Sequence, residues 1–300
     1  MTASSSVTHG RPSQGPVRRR GQRSRRQWTA PGRWVLTAVL VLVGVVAFIP
    51  VYWTLIASVQ PEVEGFATPP RWIPTSFTLE HYADALESIP FFQQFANSVV
   101  VTAAVVVLSL VVSLLAAYPL ARLEFVGRPV VFGVFIAALL IPGQVTVIPV
   151  YIVLRTIGLT DSLFGLIVPG LIQVTAIFLL RQHLLSIPRE LSDAAAIDGA
   201  GHVRVLFTIL LPGVGPALSA LAIFIAQATW NDFFWPNLIM STPERLTLPV
   251  GIYMLGGGAV GAPPSTIFAA VSMIVVPLLV VFLVAQRRLT EGIAFVGTDR

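Results

Sequence analysis

Six long apolar stretches dominate the chain, separated by polar segments of very unequal length. They run over about 34–57, 97–118, 130–151, 163–180, 212–230 and 267–287. A helix needs about 20 mostly apolar residues to cross about 30 Å of hydrocarbon. The pattern therefore predicts an all-α membrane protein with about six transmembrane helices. Pro50, Pro142 and Pro277 lie inside three of the stretches. Proline frees a backbone carbonyl, which a membrane helix tolerates when its neighbours repair the loss, so kinks and simple tolerance are both open there. The first run, Trp34 to Ser58, follows a basic RRRGQRSRRQW stretch that resembles the charged start of a signal peptide. It is too long for an h-region, and no small-x-small cleavage site clearly follows it. It reads as a retained first span.

Composition agrees with this class. The 300 residues are 55% hydrophobic and 11% charged, where a soluble domain carries about a quarter charged residues. The net charge of +5 invites a nucleic-acid reading, but the distribution argues for none: a large share of the basic residues lies between Arg11 and Arg33, ahead of the first apolar run. All 19 Lys and Arg residues are arginine. A P-loop needs a lysine for the β- and γ-phosphates, so any ATP hydrolysis that drives this protein belongs to another chain. The absence of cysteine excludes disulfides and thiolate chemistry. His9, His81, His183 and His202 lie too far apart for a metal motif and read as loop or boundary residues. No metal and no cofactor is expected.

The chain divides into a disordered basic tail at 1–33, a six-helix membrane domain at 34–290 and a tail at 291–300. If the N-terminus is cytoplasmic, every arginine except Arg71, Arg155 and Arg245 falls on the cytoplasmic side. That bias is a strong positive-inside signal and places both termini in the cytoplasm. Two segments on the outer side are long. One, about 58–95, is acidic and proline-rich, with Glu62, Glu64, Glu80, Asp84 and Glu87; the other, about 231–266, contains Gly256, Gly257, Gly258 and Gly261.

The cytoplasmic loop between the fourth and fifth spans, 181–211, is far longer than a helix connection requires. Pro188 can open a helix there, with Glu190 in its first turn where the dipole favours an anion. Gly199 can end the helix at positive φ. Leu191, Ala194, Ala195 and Asp198 recur at helical spacing and share a face, which the alanines keep shallow. A second short helix, about 202–210, then leads into Pro212. Two short helices at the membrane surface form a knob suited to a partner's groove; an amphipathic loop lying on the lipid is the other reading.

The same loop resembles the EAA motif of ATP-binding-cassette importer permeases: Glu-Ala-Ala, a glycine four residues after the second alanine, then Ile-x-Leu-Pro. This chain has Asp193-Ala194-Ala195, Gly199 and Ile209-x-Leu211-Pro212. IPREL and AIDGA on its flanks, NSVVVTAA at Asn97–Ala104, GLTDSLFGLIVP at Gly158–Pro169 and WNDFFWP at Trp230–Pro236 resemble the carbohydrate-uptake, maltose-type branch. The resemblance implies a MetI-like six-helix permease fold in the plasma (inner) membrane, without catalysis of its own. It implies a second permease subunit, a cytoplasmic ATPase dimer and an extracytoplasmic solute-binding protein as partners. Glu190, Asp193, Ala194, Ala195, Asp198, Gly199, Ala200, Ile209, Leu211 and Pro212 would form the ATPase-coupling surface. The family's usual glutamate is Asp193 here, one methylene shorter; in the family that carboxylate pairs with a basic residue of the ATPase, and Glu190 can share the role. The glycine-rich outer loop matches the place where one family subunit inserts into the binding protein.

Charge within a span is expensive, and the span centres carry essentially none. Gln144, Thr146, Gln173, Thr175, Gln227 and Asn231, with Phe178 and Trp230, are the candidate lining of a substrate path, a neutral polar and aromatic set suited to a sugar. Polar residues also pack helix against helix, and that reading stays open for each. Import of another small polar solute such as a glycerol phosphate is the nearest alternative function. A stand-alone secondary transporter is the alternative of a different class, and the lack of intramembrane carboxylates speaks against it.

Overall fold

The computed structural model describes residues 30–62, 71–257 and 261–296. The basic tail before Ala30, Glu64, Gly258 and the last four residues lie outside the described residues. Among the described residues every regular element is helical. The chain divides into two compact units after Pro50. Of the first, the described part is the beginning of α1 (Ala30–Val59). Its apolar side chains from Trp34 to Ile49 are exposed, as a lipid-facing surface requires.

The second unit starts with the end of α1 and continues through α2 (Glu80–Ser88) into α3 (Phe91–Arg122). The burial pattern of α3 departs from that of a soluble helix. Gln94, Ser98, Val101, Val105, Ser109, Ser113, Ala117 and Ala121 are buried at steps of three or four. Val100, Val107, Val111 and Leu115 are exposed. The buried side combines small and polar residues with Val101 and Val105, while the outward side is wholly apolar valine and leucine at these positions, the distribution expected when the solvent is lipid.

The third apolar stretch is broken into α4 (Arg128–Leu139) and α5 (Gly143–Thr156), which meet at 101°. Pro142 has no N–H to continue the ladder and pushes the residue before it out of the helical region. Pro50 and Pro277 sit inside unbroken helices, so of the three prolines only Pro142 breaks its span. The fourth stretch is α6 (Leu163–Gly170) followed by α7 (Val174–Ser186), and α8 (Arg189–Ile197) then precedes α9 (His202–Trp230). In α9, Val214, Ala217, Leu221 and Ile225 form the buried stripe. A short α10 (Phe234–Ile239) and α11 (Leu248–Gly256) lead to α12 (Pro264–Val296). α3 is the central post, packed against α6, α7, α9 and α11; α12 packs against α2, α9 and α11.

All six expected stretches lie on helices. Four are long and apolar enough to cross a membrane, the bent α4–α5 pair makes a fifth, and the sixth rests on the apolar part of α12, Pro264–Val280. α12 continues to Val296, past the expected end near 287.

Candidate functional sites at the two ends of the bundle

At the end of α7 the chain leaves the bundle. Ile187 and Pro188 are extended, with ψ of 132° and 136°, and α8 begins at Arg189. Pro188 is thus the N-cap rather than the first helical residue, and Glu190 lies in the first turn. α8 ends in a Schellman motif. The Gly199 N–H donates to Ala196 O at 3.0 Å and the Ala200 N–H to Ala195 O at 2.9 Å, with Gly199 at φ +77°. Nothing lies within 4 Å of a Cβ built on Gly199. Within this chain the positive φ alone calls for glycine there.

The expected shared face of α8 is divided. Ala195 is buried in the core that also holds Val205 and Leu206, whereas Leu191, Asp193, Ala194 and Asp198 are exposed. Ile197 and Val203 stand 87% and 72% exposed, an apolar surface around the EAA-like residues. The separate helix expected at 202–210 is instead the start of α9, wound as a π-helix over Val205–Leu210. Pro212 cannot donate to Thr208 and its ring crowds that carbonyl, and the wider turn accommodates both. Ile209 and Leu211 are half-buried on this turn and just after it, and Pro212 is exposed.

Arginines close the helix ends around this loop. Arg122 Nη2 donates to Leu184 O at 2.7 Å and Ile187 O at 2.8 Å. Arg128 donates to Leu120, Ala121 and Leu123 carbonyls at 2.9, 3.2 and 3.1 Å, and Arg181 Nε to Leu120 O at 3.1 Å. Cations here satisfy terminal carbonyls and meet the negative ends of the helix dipoles. Arg181 also lies 3.8 Å above the Phe132 ring, which stacks on Phe178. Behind α8 is a cavity of about 150 Å³ bordered by Tyr118, Arg122, Ser192, Asp193, Ala196 and His202. Tyr118 and His202 share a hydrogen bond of 3.1 Å across it.

At the other end of α3 the organising group is Asp161, which sequence reading missed. Its carboxylate accepts from the N–H of Ser241 (2.9 Å), the N–H of Thr242 (3.0 Å) and Oγ1 of Thr242 (2.6 Å). Arg245 donates to it at 3.3 Å and to its backbone carbonyl at 2.7 Å. The Thr242 hydroxyl, the two backbone N–H groups and Arg245 hold the Asp161 carboxyl at about 2, against an ordinary 3.8. Asp161 is the one described non-glycine residue at positive φ, 53°, a region aspartate tolerates better than most. Asn97 Nδ2 adds bonds to Glu244 O (2.8 Å) and Leu246 O (3.0 Å), Gln94 Nε2 to Pro243 O (3.0 Å), and Ser98 Oγ accepts from Leu248 N (2.8 Å). Asn97 and Asp161 both lie in stretches singled out above, but their partners sit roughly 80 to 150 residues away, where no local pattern reaches.

Between the ends lies a cavity of about 370 Å³ beside the α4–α5 break, bordered by Thr146, Gln173, Thr229, Asp232 and Trp235, with Gly143 and Gly170 leaving room. Of the expected path residues, Thr146 and Gln173 reach it. Gln144, Gln227 and Asn231 are not in its wall; Asn231 Nδ2 turns back to Gln227 O at 2.8 Å. Phe178 belongs to the arginine end, and Trp230 is buried edge-on against Phe95. Asp232 and Trp235 were missed. Burial pushes the Asp232 carboxyl up, against the opposing effect of the Trp235 and Phe234 N–H groups. Trp235 Nε1 donates to Gly165 O at 3.1 Å.

The described helices thus form a membrane-type bundle with a broken span beside a cavity and an exposed helix at its arginine-rich end. Sequence comparison agrees: residues 109–294 match the family of binding-protein-dependent transport system inner membrane components. This chain belongs to that family. It is similar to the arabinooligosaccharides transport system permease protein of Halalkalibacterium halodurans, 31% identical over 88% of this chain and 95% of the relative. A diacetylchitobiose uptake system permease protein of Streptomyces coelicolor is 31% identical, covering 86% of each chain. The sn-glycerol-3-phosphate transport system permease protein of Brucella abortus is 27% identical over 85% of this chain and 93% of the relative. The fold is shared with a chain of a bacterial ABC transporter involved in import of the acidic polysaccharide alginate. There the TM-score is 0.77 with 23% identity, covering 87% of this chain and 98% of that one.

Proposed function

We propose that this chain is one membrane-spanning subunit of an ATP-driven, binding-protein-dependent importer of saccharides in the plasma membrane. The observation that carries the reading is the exposed, Schellman-capped α8 at the arginine-rich end, inside the family-matching region. In this reading Glu190, Asp193, Ala194, Asp198 and Gly199, with exposed Leu191, Ile197 and Val203, seat in a groove of a cytoplasmic ATPase. Ala195, Ala200, Ile209, Leu211 and Pro212 fix that surface from behind and from the π turn. The ATPase is a separate chain, since a chain without lysine has no P-loop, and the family resemblance implies that it acts as a dimer. Both termini and α8 are cytoplasmic, and the Asp161 end faces a solute-binding protein. A second permease subunit completes the pathway. Two relatives that carry oligosaccharides in their names support a saccharide cargo. The relative named for glycerol phosphate supports the alternative, but an anionic cargo would meet Asp232 in a cavity wall without a basic side chain.

The test is co-expression with a second permease subunit, an ATPase and a solute-binding protein from the same genome, followed by uptake of a labelled saccharide panel and of glycerol phosphate. Uptake of a saccharide that requires ATP and the binding protein is expected, with no transport by the chain alone. Ion-driven transport by the lone chain would replace this reading with a secondary transporter. Reporter fusions after about residues 125 and 195 should read cytoplasmic, and one after about residue 75 external. An external signal at 195 would overturn both the topology and the docking surface.

A further inference from the structure

We propose that Arg122 pins the pivot about which α8 swings, and so is the positioning residue that carries movement of the docked loop into the membrane helices. The inference rests on the importer reading above. Arg122 is the last residue of α3, and one of its nitrogens holds both Leu184 O and Ile187 O. Those carbonyls lie on either side of Ser186, where α7 ends, and Ile187 with Pro188 forms the extended joint from which α8 departs. The guanidinium therefore grips the joint and ties it to the central post of the bundle.

Beyond the joint the contact changes character. α8 faces Arg122 across the 150 Å³ cavity walled by Ser192, Asp193 and Ala196. Among the described residues no hydrogen bond crosses from Arg122 to α8. Arg122 Nε and Ser192 Oγ are both buried and make no hydrogen bond to a protein group. A polar space separates Arg122 from this side of α8, while Ala195 on the other side packs against Val205 and Leu206, so α8 turns about its root as one piece with the start of α9. A rigid element moving about a fixed hinge passes its displacement on; one whose hinge slips does not. Arg128 supplies an internal control. Its three carbonyl acceptors all lie within eight residues of itself, so it closes the end of α3 without touching the joint.

The complete importer, with both permease subunits, the ATPase and the binding protein, is reconstituted in liposomes. ATP hydrolysed per sugar imported is measured with labelled arabinotriose and diacetylchitobiose supplied together. Arg122→Gln is expected to raise that ratio about tenfold. Arg122→Lys, whose ammonium can still donate to two carbonyls, should bring it most of the way back. Arg128→Gln should leave it at the wild-type value. Ser192→Leu fills the cavity from the α8 side and leaves the Arg122 bonds in place; it should slow import and stimulated hydrolysis together. If Arg122→Gln lowers only the yield of complex and keeps the ratio, Arg122 is merely structural and the proposal falls. Unimpaired import with Ser192→Leu overturns it too, and tests it even if Arg122→Gln fails to assemble. A wild-type complex that neither binds the ATPase nor imports would instead sink the importer reading.

Discussion

The two ends of α3 hold their loops in opposite ways. At the Asp161 end, side chains reach over long sequence distances to bind the backbone of 241–248, and one carboxylate collects four donors. At the arginine end, the 188–201 segment is held among the described residues by its own Schellman cap, the buried Ala195 and one exposed ion pair, Arg189–Glu124 at 3.5 Å. Such an exposed pair contributes about 0–1 kcal/mol, whereas a hydrogen bond to a charged acceptor contributes about 1.5–3 kcal/mol. One loop is fixed to the bundle, and the other is a preformed element attached at its root. Fixing costs mobility, and the contrast assigns mobility to the arginine end.

The sharpest way to break this contrast is Gly199→Val. An L side chain at positive φ costs about 1–2 kcal/mol, and a β-branched one more. Since the Cβ meets no neighbour in this chain, the bundle should insert and accumulate nearly normally. Uptake should be lost and ATPase co-purification weakened; full association and full transport would strip α8 of its role. Asp161→Ala acts at the fixed end and should do the reverse. It should lower thermal stability by about 2 kcal/mol from the lost charged acceptor, read as a drop in melting temperature and in folded yield, with the ATPase still bound. An unchanged melting temperature would show that the end is held by Asn97, Gln94 and Ser98 without Asp161.

Acid should sharpen the same comparison more gently. The Asp161 carboxyl lies at about 2 when folded and 3.8 otherwise. Its contribution is therefore complete above the unfolded value and is lost as pH falls through the folded one. Amide exchange at Ser241 and Thr242, corrected for intrinsic rate, should stay slow down to about pH 4 and quicken below it. Asp161→Asn should flatten that response. The smallest effects belong to Asp193, exposed and free of any ion pair within 4 Å among the described residues. Asp193→Ala should reduce uptake only in part, with Glu190 one turn away to share its charge, and Asp193→Glu should leave uptake unchanged. Complete loss with Asp193→Ala would make that carboxylate the main anchor.

What was legible in the sequence was what depends on local pattern. The apolar stretches became helices and Gly199 took the left-handed turn, whereas which of the three span prolines would break its helix stayed open until the fold showed it to be Pro142. The fixed end was not legible, because Asp161 and Asn97 look like ordinary polar residues until loops from far along the chain fold onto them. The arginines were read as a sorting signal, and their work as helix caps depends on carbonyls of other helices. The lining of the central cavity was the least legible. Gln173 lines the cavity while Gln144 and Gln227 do not, since a glutamine's side of a helix depends on where its neighbours pack. The second loop helix was misplaced because Pro212 suggested a boundary, whereas the chain absorbed it by widening one turn.

That widened turn sets a length as well as a shape. A π turn holds an extra residue relative to the α-helix around it, and one residue is worth about 100° of rotation about the axis. The stripe from Val214 to Ile225 and the residues at His202–Arg204 are therefore phased as if on two helices, although the chain between them never leaves helical form. Deleting Thr208 alone would remove no hydrophobic side chain yet turn His202, Val203 and the end of α8 to a different bearing. Chain length in this stretch, more than composition, sets the direction in which the loop presents itself.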